Sequence, residues 1–177
     1  MDIFKQYIDL LLKYNKVHRL SGSKNEDEVI KNIIDSLYPE EFIDFNKKKS
    51  LLDIGSGAGF PGMIIAIKYP HLKVTLVEPL MKRSAFLHLV KSTYDLNNVT
   101  IYQNRIEEID SFFVDIITSR AVAKSDILIS LAKSFITDKT ELLFYKGEEV
   151  FNEIGDSYDC EVIPNGKRNF LYIKGFK

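Results

Sequence analysis

The stretch Leu51-Leu52-Asp53-Ile54-Gly55-Ser56-Gly57-Ala58-Gly59-Phe60-Pro61-Gly62 decides the fold of this 177-residue chain. It reads as a buried strand followed by a loop with four glycines, with a helix beginning beyond the loop. Glycine lets the backbone turn sharply and come close to a ligand that any Cβ would push away. In open parallel sheets, ligands bind at the carboxyl ends of the strands near the first crossover. The loop therefore predicts a ligand site, the alternative being a tight turn that binds nothing.

After this loop, short apolar runs continue to alternate with helical patterns. They predict five strands, at residues 51–54, 74–77, 99–102, 114–117 and 142–145, with helices between them at 62–69, 82–94 and 125–136. The last of these helices carries one apolar stripe, formed by Ile127, Leu128, Leu131, Ala132, Phe135 and Ile136. Apolar strands separated by helices indicate a parallel sheet covered on both faces. Right-handed crossovers make such a sheet doubly wound.

The two ends of the chain follow other patterns. Apolar residues recur at helical spacing over residues 3–12, and a second helix is predicted from about 26 to 37, so residues 1–46 form a helical extension. At the other end, Pro164-Asn165-Gly166 separates two apolar runs and predicts an antiparallel hairpin. We therefore expect one α/β domain over residues 1–177, with a core over 47–177 built on a mostly parallel, seven-stranded sheet.

Composition limits the kind of protein this chain is. It has 24 Lys and Arg against 25 Asp and Glu, a net charge of −1, which argues against a protein that simply coats nucleic acid. Cys160 is the single cysteine and the three histidines are scattered, so neither a disulfide nor a metal site is expected. No targeting segment and no apolar run long enough to span a membrane is present, which predicts a cytoplasmic protein.

Two classes of ligand suit the glycine loop. Gly57 to Gly62 matches the GxGxxG pattern of dinucleotide binders, and Glu78 follows at the distance expected for a ribose contact. Asp53, however, would repel a pyrophosphate and could favour the ammonium group of a methionine moiety. The few residues after Tyr145 leave little room for the substrate domain of a dehydrogenase. These features favour S-adenosylmethionine, with a nicotinamide dinucleotide as the alternative.

Further polar residues end the neighbouring strands at the same edge of the sheet. The two oxygens of Glu78 can accept both ribose hydroxyls. Ile106 can pack on the adenine while Glu107 meets its edge, and Arg120 can hold a methionine carboxylate or an RNA phosphate. The alternatives are a solvated acid at Glu78, surface charges that begin a helical turn at Glu107, and an ion pair of Arg120 with Asp115 or a helix end.

Four stretches agree with a known family: residues 53–62 (DIGSGAGFPG), 78–87 with Lys82 and Arg83, 105–107, and 118–123 (TSRAVA). Residues 14–16, 34–37 and 146–147 agree as well. The chain thus resembles, over nearly its whole length, the bacterial 16S ribosomal RNA guanine-N7 methyltransferases of the RsmG type, also called GidB. It departs from the family at Tyr14, often Trp, at Asn32, often His, and at residues 137–140, usually a Gly-Gly turn.

The resemblance implies a Rossmann-like fold of the class I methyltransferase type. It also implies methyl transfer from S-adenosylmethionine to N7 of a guanine in the decoding-region loop of 16S rRNA, within the small ribosomal subunit. Together with the analysis of the loop, it gives as cofactor-binding residues Asp53, Gly55, Gly57, Gly59, Phe60, Glu78, Ile106, Glu107 and Arg120. The alternatives are a methyltransferase for another RNA or a small molecule, a nicotinamide-dependent oxidoreductase, and a nucleotide-binding module without catalysis.

Guanine N7 carries a free lone pair and no proton at neutral pH, so this reaction needs no general base. We therefore predict no acid–base catalytic residue and assign Arg120 a positioning role. The sequence contains neither the Asn-Pro-Pro-Tyr stretch of amino-group methyltransferases nor a Pro-Cys pair that would add to a pyrimidine.

Contact with RNA has to come from local charge. Residues 10–25 and 162–177 contain no acid, which predicts that both stretches border the RNA path and that binding weakens as salt rises. Solvated surface without a function is the alternative. The candidate RNA-binding residues are Lys13, Lys16, Arg19, Lys82, Arg83, Lys146, Lys167 and Arg168.

Overall fold

The computed structural model describes residues 1–120, 122–152, 158–166 and 168–176. The helices are α1 (Lys5–His18), α2 (Glu26–Leu37), α3 (Gly62–Lys68), α4 (Met81–Thr93) and α5 (Ser125–Ala132). The strands are β1 (Ser50–Ile54), β2 (Lys73–Val77), β3 (Val99–Tyr102), β4 (Ile116–Arg120), β5 (Glu141–Lys146), β6 (Tyr158–Asn165) and β7 (Arg168–Phe176).

The seven strands form one sheet in the order β3-β2-β1-β4-β5-β7-β6. The first five are parallel to one another, whereas β7 runs antiparallel to β5 and β6 antiparallel to β7. The predicted mostly parallel sheet with a carboxyl-terminal antiparallel hairpin is therefore confirmed. The strand order reverses between β1 and β4, which is where ligands bind in folds of this type.

Each face of the sheet is covered by its own apolar core. Because successive strand residues point to opposite faces, Leu143 and Tyr145 of β5 join the core beneath α1 to α4. Leu142 and Phe144 of the same strand join the core beneath α5. All four side chains are essentially inaccessible to solvent.

The amino-terminal helices are packed into the first of these cores. Tyr7 of α1 is fully buried, and its hydroxyl donates a hydrogen bond of 2.8 Å to the carbonyl of Ala58 in the glycine loop. Tyr145 of β5 likewise donates 2.8 Å to the carbonyl of Ser36 in α2. The helical extension thus contacts the glycine loop directly, through the hydrogen bond from Tyr7 to Ala58.

The structure shifts several of the sequence-based boundaries, and the largest corrections among the predicted strands and helices of the core are at β4 and α5. The fourth strand begins two residues later than predicted and includes Thr118 and Ser119, which are buried because their hydroxyls bond to Asp53 and to the Ile54 carbonyl. Helix α5 ends at Ala132, before a 3₁₀ turn. Ile127, assigned to the buried stripe of α5, is 48% exposed, so the predicted stripe is wrong there.

Within the described ranges, no helix has both the length and the apolar character required to cross a membrane.

Candidate cofactor-binding site

The glycine loop folds back over the end of β2. The N–H groups of Gly55 and Ser56 both donate to the carbonyl of Val77, at 2.9 and 3.1 Å, and the Gly59 N–H donates to the Ser56 carbonyl at 2.7 Å. Gly55, Gly57 and Gly59 have φ angles of 72°, 59° and 105°, in the left-handed region that favours glycine. The backbone path of the loop therefore favours glycine at each of these three positions.

Asp53 lies beneath the loop. Its carboxylate is fully buried, and its oxygens accept hydrogen bonds from the Thr118 hydroxyl at 2.8 Å and the Gly62 N–H at 3.2 Å. Burial raises the pKa of Asp53 to about 6, against the opposing effect of these hydrogen bonds. The residue therefore joins β1, β4 and the start of α3. Its carboxylate does not line the cavity described below, so it makes no direct contact with a ligand there.

Glu78 directly follows β2 and is 2% exposed. One carboxylate oxygen accepts the Gly57 N–H at 2.8 Å, and the other accepts the Leu80 N–H at 2.9 Å. Each oxygen retains a further acceptor position for a ligand hydroxyl. Glu78 thus fixes the tip of the loop and still faces the cavity.

A cavity of about 660 Å³ opens above the loop, within the range of sites for small molecules and cofactors. Of the residues predicted to bind a cofactor, Gly55, Gly57, Phe60, Glu78, Ile106, Glu107 and Arg120 line it. Asp53 and Gly59 do not. A Cβ at Gly59 would lie 2.7 Å from Cβ of Met63, so this glycine is required by packing against α3. The cavity is thus lined by the backbone of the glycine loop, by the carboxylate of Glu78 and by the guanidinium of Arg120.

One wall of the cavity was not predicted from the sequence. It is formed by Leu20, Ser21 and Gly22, which follow α1. The Asn15 amide holds this segment, because its oxygen accepts the Ser21 N–H at 2.8 Å and its nitrogen donates to the Ser23 carbonyl at 2.6 Å. The agreement of residues 14–16 with the family was the signal that could have identified this wall.

Arg120, at the end of β4, is held by α2 and not by Asp115. Its Nη1 donates to Asn32 Oδ1 at 2.9 Å and to Asp35 Oδ2 at 3.4 Å, and its guanidinium lies 4.7 Å from the centre of the Phe60 ring. Burial lowers the pKa of Arg120, an effect that the Asp35 carboxylate opposes. The expected alternative pairing with Asp115 is wrong, since that carboxylate accepts the backbone N–H groups of residues 49 and 50.

Arg168 on β7 also donates to Asp35, and its single Nε–H is shared between the two carboxylate oxygens, at 3.1 and 3.3 Å. One carboxylate on α2 therefore balances two guanidinium groups, and this cluster keeps one positive charge in excess. The sequence placed Asp35 in a family-like stretch but gave no partner for it.

The candidate RNA-binding residues are distributed unevenly. Lys13, Lys16, Arg19 and Lys82 are exposed, and Arg83 lines the cavity. Lys146 does not fit the expectation of RNA contact, because it is 8% exposed and its Nζ donates to the Ala123 carbonyl at 2.8 Å. Its ammonium group instead contacts the segment that follows β4. Lys167 lies outside the described residues.

The chemistry of this site is that of binding and positioning. In the part of the chain that the structure describes, no cluster of His, Cys, Asp or Glu could hold a metal ion. The glycine loop, the acceptor positions of Glu78 and the apolar side chain of Ile106 fit the ribose and the base of a nucleoside. The positive Arg120 fits a carboxylate or a phosphate.

Over residues 1–173 the chain matches the GidB family, described as rRNA small subunit methyltransferase G. It is 43% identical over 175 residues to the ribosomal RNA small subunit methyltransferase G of Wolinella succinogenes, covering 99% of this chain and 90% of that protein. The corresponding Helicobacter pylori protein is 45% identical over 172 residues, covering 96% of this chain and 94% of its own.

A solved structure of a putative caffeoyl-CoA O-methyltransferase from Staphylococcus aureus is similar in fold, with a TM-score of 0.65 at 15% identity, covering 98% of this chain and 96% of that one. This likeness confirms the predicted Rossmann-like fold of the methyltransferase type.

Proposed function

We infer the function from one fact: this chain belongs to the family of rRNA small subunit methyltransferase G. It is a methyltransferase, and S-adenosylmethionine is its methyl donor. The methyl group goes to N7 of a guanine in the decoding-region loop of 16S rRNA, within the small ribosomal subunit. The protein then works in the cytoplasm, as one domain over residues 1–177.

The hydrogen bonding of the glycine loop supports this assignment over a nicotinamide dinucleotide. A Rossmann loop binds a pyrophosphate through free backbone N–H groups. Here the N–H groups of residues 55, 56, 57 and 59 all donate within the protein. In particular, the Gly57 N–H is taken by Glu78 at 2.8 Å, which puts a carboxylate where a pyrophosphate would need a donor. A neutral nucleoside with hydroxyl donors suits this loop better.

Each part of the cavity has a matching part of the methyl donor. Glu78 would accept hydrogen bonds from the ribose hydroxyls, and Ile106 would pack against the adenine with Glu107 at its edge. Gly55 and Gly57 allow the ligand to approach the backbone. Arg120, buried against Phe60, would hold a carboxylate. S-adenosylmethionine supplies an electrophilic methyl group on a positively charged sulfur.

The residues of this chain act by alignment. Guanine N7 attacks with its own lone pair, so no side chain has to remove a proton. Holding nucleophile and electrophile in line replaces a chance encounter and lowers the barrier by reducing its entropic cost. The Asn32 and Asp35 contacts keep Arg120 in one orientation at the cavity wall. We assign Arg120 a positioning role on this basis.

The test is methylation of small ribosomal subunits from a strain that lacks the enzyme. Treatment with borohydride and aniline cleaves RNA at 7-methylguanosine, so the wild-type protein should produce one new cut in the decoding-region loop. Arg120→Ala should produce none while keeping its circular dichroism spectrum. A cut that is already present without the enzyme would refute the target assignment. Tight NAD binding with no calorimetric response to S-adenosylmethionine would refute the cofactor.

A further inference from the structure

A groove runs from the cofactor cavity along α2 to the turn between β6 and β7. A second cavity, of about 410 Å³, shares Ser21, Gly22 and Arg120 with the cofactor cavity. A third, of about 490 Å³, shares Lys31 and Asn32 with the second and ends at Asn165 and Arg168. The second and third cavities thus adjoin the cofactor cavity through shared lining residues, and we call these two together the α2 groove.

The charged side chains that line the α2 groove sum to a net charge of +1. Arg120, Lys31 and Arg168 line it, against the two carboxylates of Glu28 and Asp35. Asp35 is already paired with both arginines, and the Glu28 oxygens accept the Lys24 N–H at 2.7 Å and the Asn25 amide at 3.4 Å.

Lys31 is the residue of the groove whose charge is available to a partner. It is exposed on α2, and it forms no ion pair with any other described residue. Arg168 is fixed by Asp35 through Nε at 3.1 Å, yet its side chain remains 31% exposed. An anion that entered the groove would therefore meet a free ammonium group and a guanidinium already held in place.

We propose that the α2 groove binds the RNA backbone next to the target nucleotide, with Lys31 and Arg168 as its phosphate contacts. The proposal rests on the proposed function, which makes the substrate a polynucleotide long enough to extend from the cofactor cavity along this path. The groove begins at Arg120, beside the cavity that holds the methyl donor, so a guanine entering there would leave its flanking phosphates over α2. Phosphate contacts of this kind fix position and contribute most of the salt-dependent affinity.

Lys31→Gln is the direct test, because it removes one charge without breaking an internal contact. Lys73→Gln is the matched control. Lys73 is also an exposed lysine without an ion pair among the described residues. It lies at the amino end of β2, whereas the cavity lies at the carboxyl ends of the strands. Affinity for small subunits lacking the methylation is measured over a series of salt concentrations. Affinity for S-adenosylmethionine is measured by calorimetry.

Lys31→Gln should weaken subunit binding roughly fivefold, the factor that one unit-charge contact at about 4 Å contributes in water. Loss of one phosphate contact should lower the slope of log affinity against log salt by about 0.7 to 0.9. Arg168→Gln combined with it should lower the slope by about twice that amount. Cofactor affinity should not change in Lys31→Gln.

The groove assignment fails if Lys31→Gln and Lys73→Gln bind the subunits with the same affinity and the same salt slope. This failure can be distinguished from failure of the proposed function, because the wild-type protein would still methylate guanine N7 in the same particles. If the wild type methylates no rRNA, the proposed function itself is wrong, whatever the variants show.

Discussion

Burial of Asp53 makes the stability of this protein depend on pH in a specific direction. The pKa of this carboxyl is raised by burial from 3.8 to about 6. The folded protein therefore holds a proton that the unfolded chain has released over this range, so stability is lost as pH rises through about 6. The full difference corresponds to about 3 kcal/mol, at about 1.4 kcal/mol per pKa unit.

Only part of this range is experimentally convenient. Between pH 5 and pH 7.5 the linkage relation gives a loss of roughly 1.4 kcal/mol from Asp53 alone. Asp53→Asn removes the titrating group while still offering an oxygen to the Gly62 N–H and a donor to the Thr118 hydroxyl. The stability advantage of the wild type over this variant should therefore decrease by about 1.4 kcal/mol from pH 5 to pH 7.5.

Urea unfolding followed by far-ultraviolet circular dichroism measures this difference at each pH. Asp44→Asn is the control, because that carboxylate is exposed and a hydrogen bond from Lys47 lowers its pKa. Relative to Asp44→Asn, the wild type should show no such loss with rising pH. If the stability curves of the wild type and Asp53→Asn run parallel between pH 5 and pH 7.5, Asp53 titrates at an ordinary value and the buried position assigned to it is wrong.

Three further predictions concern the glycine loop and its support. Tyr7→Phe leaves the Ala58 carbonyl without its donor at 2.8 Å, which should cost about 1–3 kcal/mol in the free energy of unfolding and weaken cofactor binding in calorimetry. Gly62→Ala places a Cβ 2.6 Å from Asp53 Oδ2, so overpacking should cost about 1–3 kcal/mol in urea unfolding. Gly57→Ala has open space around its Cβ, and only its φ of 59° opposes the change, so its cost should be about 1–2 kcal/mol.

The predictions for Tyr7→Phe and Gly62→Ala each have a clear contrary outcome. Wild-type stability in Tyr7→Phe would mean that the α1 contact does not support the loop. Unchanged stability in Gly62→Ala would mean that Asp53 is not packed against the start of α3. Tyr69→Phe is the control for Tyr7→Phe. The Tyr69 ring packs beside Phe45, away from the cofactor cavity, so removal of its hydroxyl should leave cofactor affinity unchanged.

Much of the fold follows from local pattern alone. The bounds predicted for α2 and β3 agree with the structure to the residue, Glu26–Leu37 and Val99–Tyr102. The carboxyl-terminal hairpin also forms where Pro164-Asn165-Gly166 predicted its turn. Such elements depend on apolar periodicity and turn residues a few positions apart, which the sequence displays directly. The glycine loop could be predicted in the same way, because the positive φ angles of its backbone favour glycine and the glycines are visible in the sequence.

The details of the site were decided by contacts between distant parts of the chain. Arg120 meets Asp35 across 85 residues, and Arg168 meets the same carboxylate across 133. The Asp53 carboxylate lies beneath the loop, where it accepts a hydrogen bond from the hydroxyl of Thr118, 65 residues away in the chain. Lys146 is basic and was therefore expected at the RNA surface. It is buried instead, and its ammonium group donates to a carbonyl 23 residues earlier in the chain.

The sequence by itself determined the alternation of strands and helices, the position of the glycine loop and the family of the chain. Only the tertiary structure decided which charged side chains face the cavity, which lie beneath it and which compensate one another. The physical reason is that periodicity and backbone preference are properties of neighbouring residues, whereas the free energy of a buried charge depends on whichever partners the fold brings within hydrogen-bonding distance.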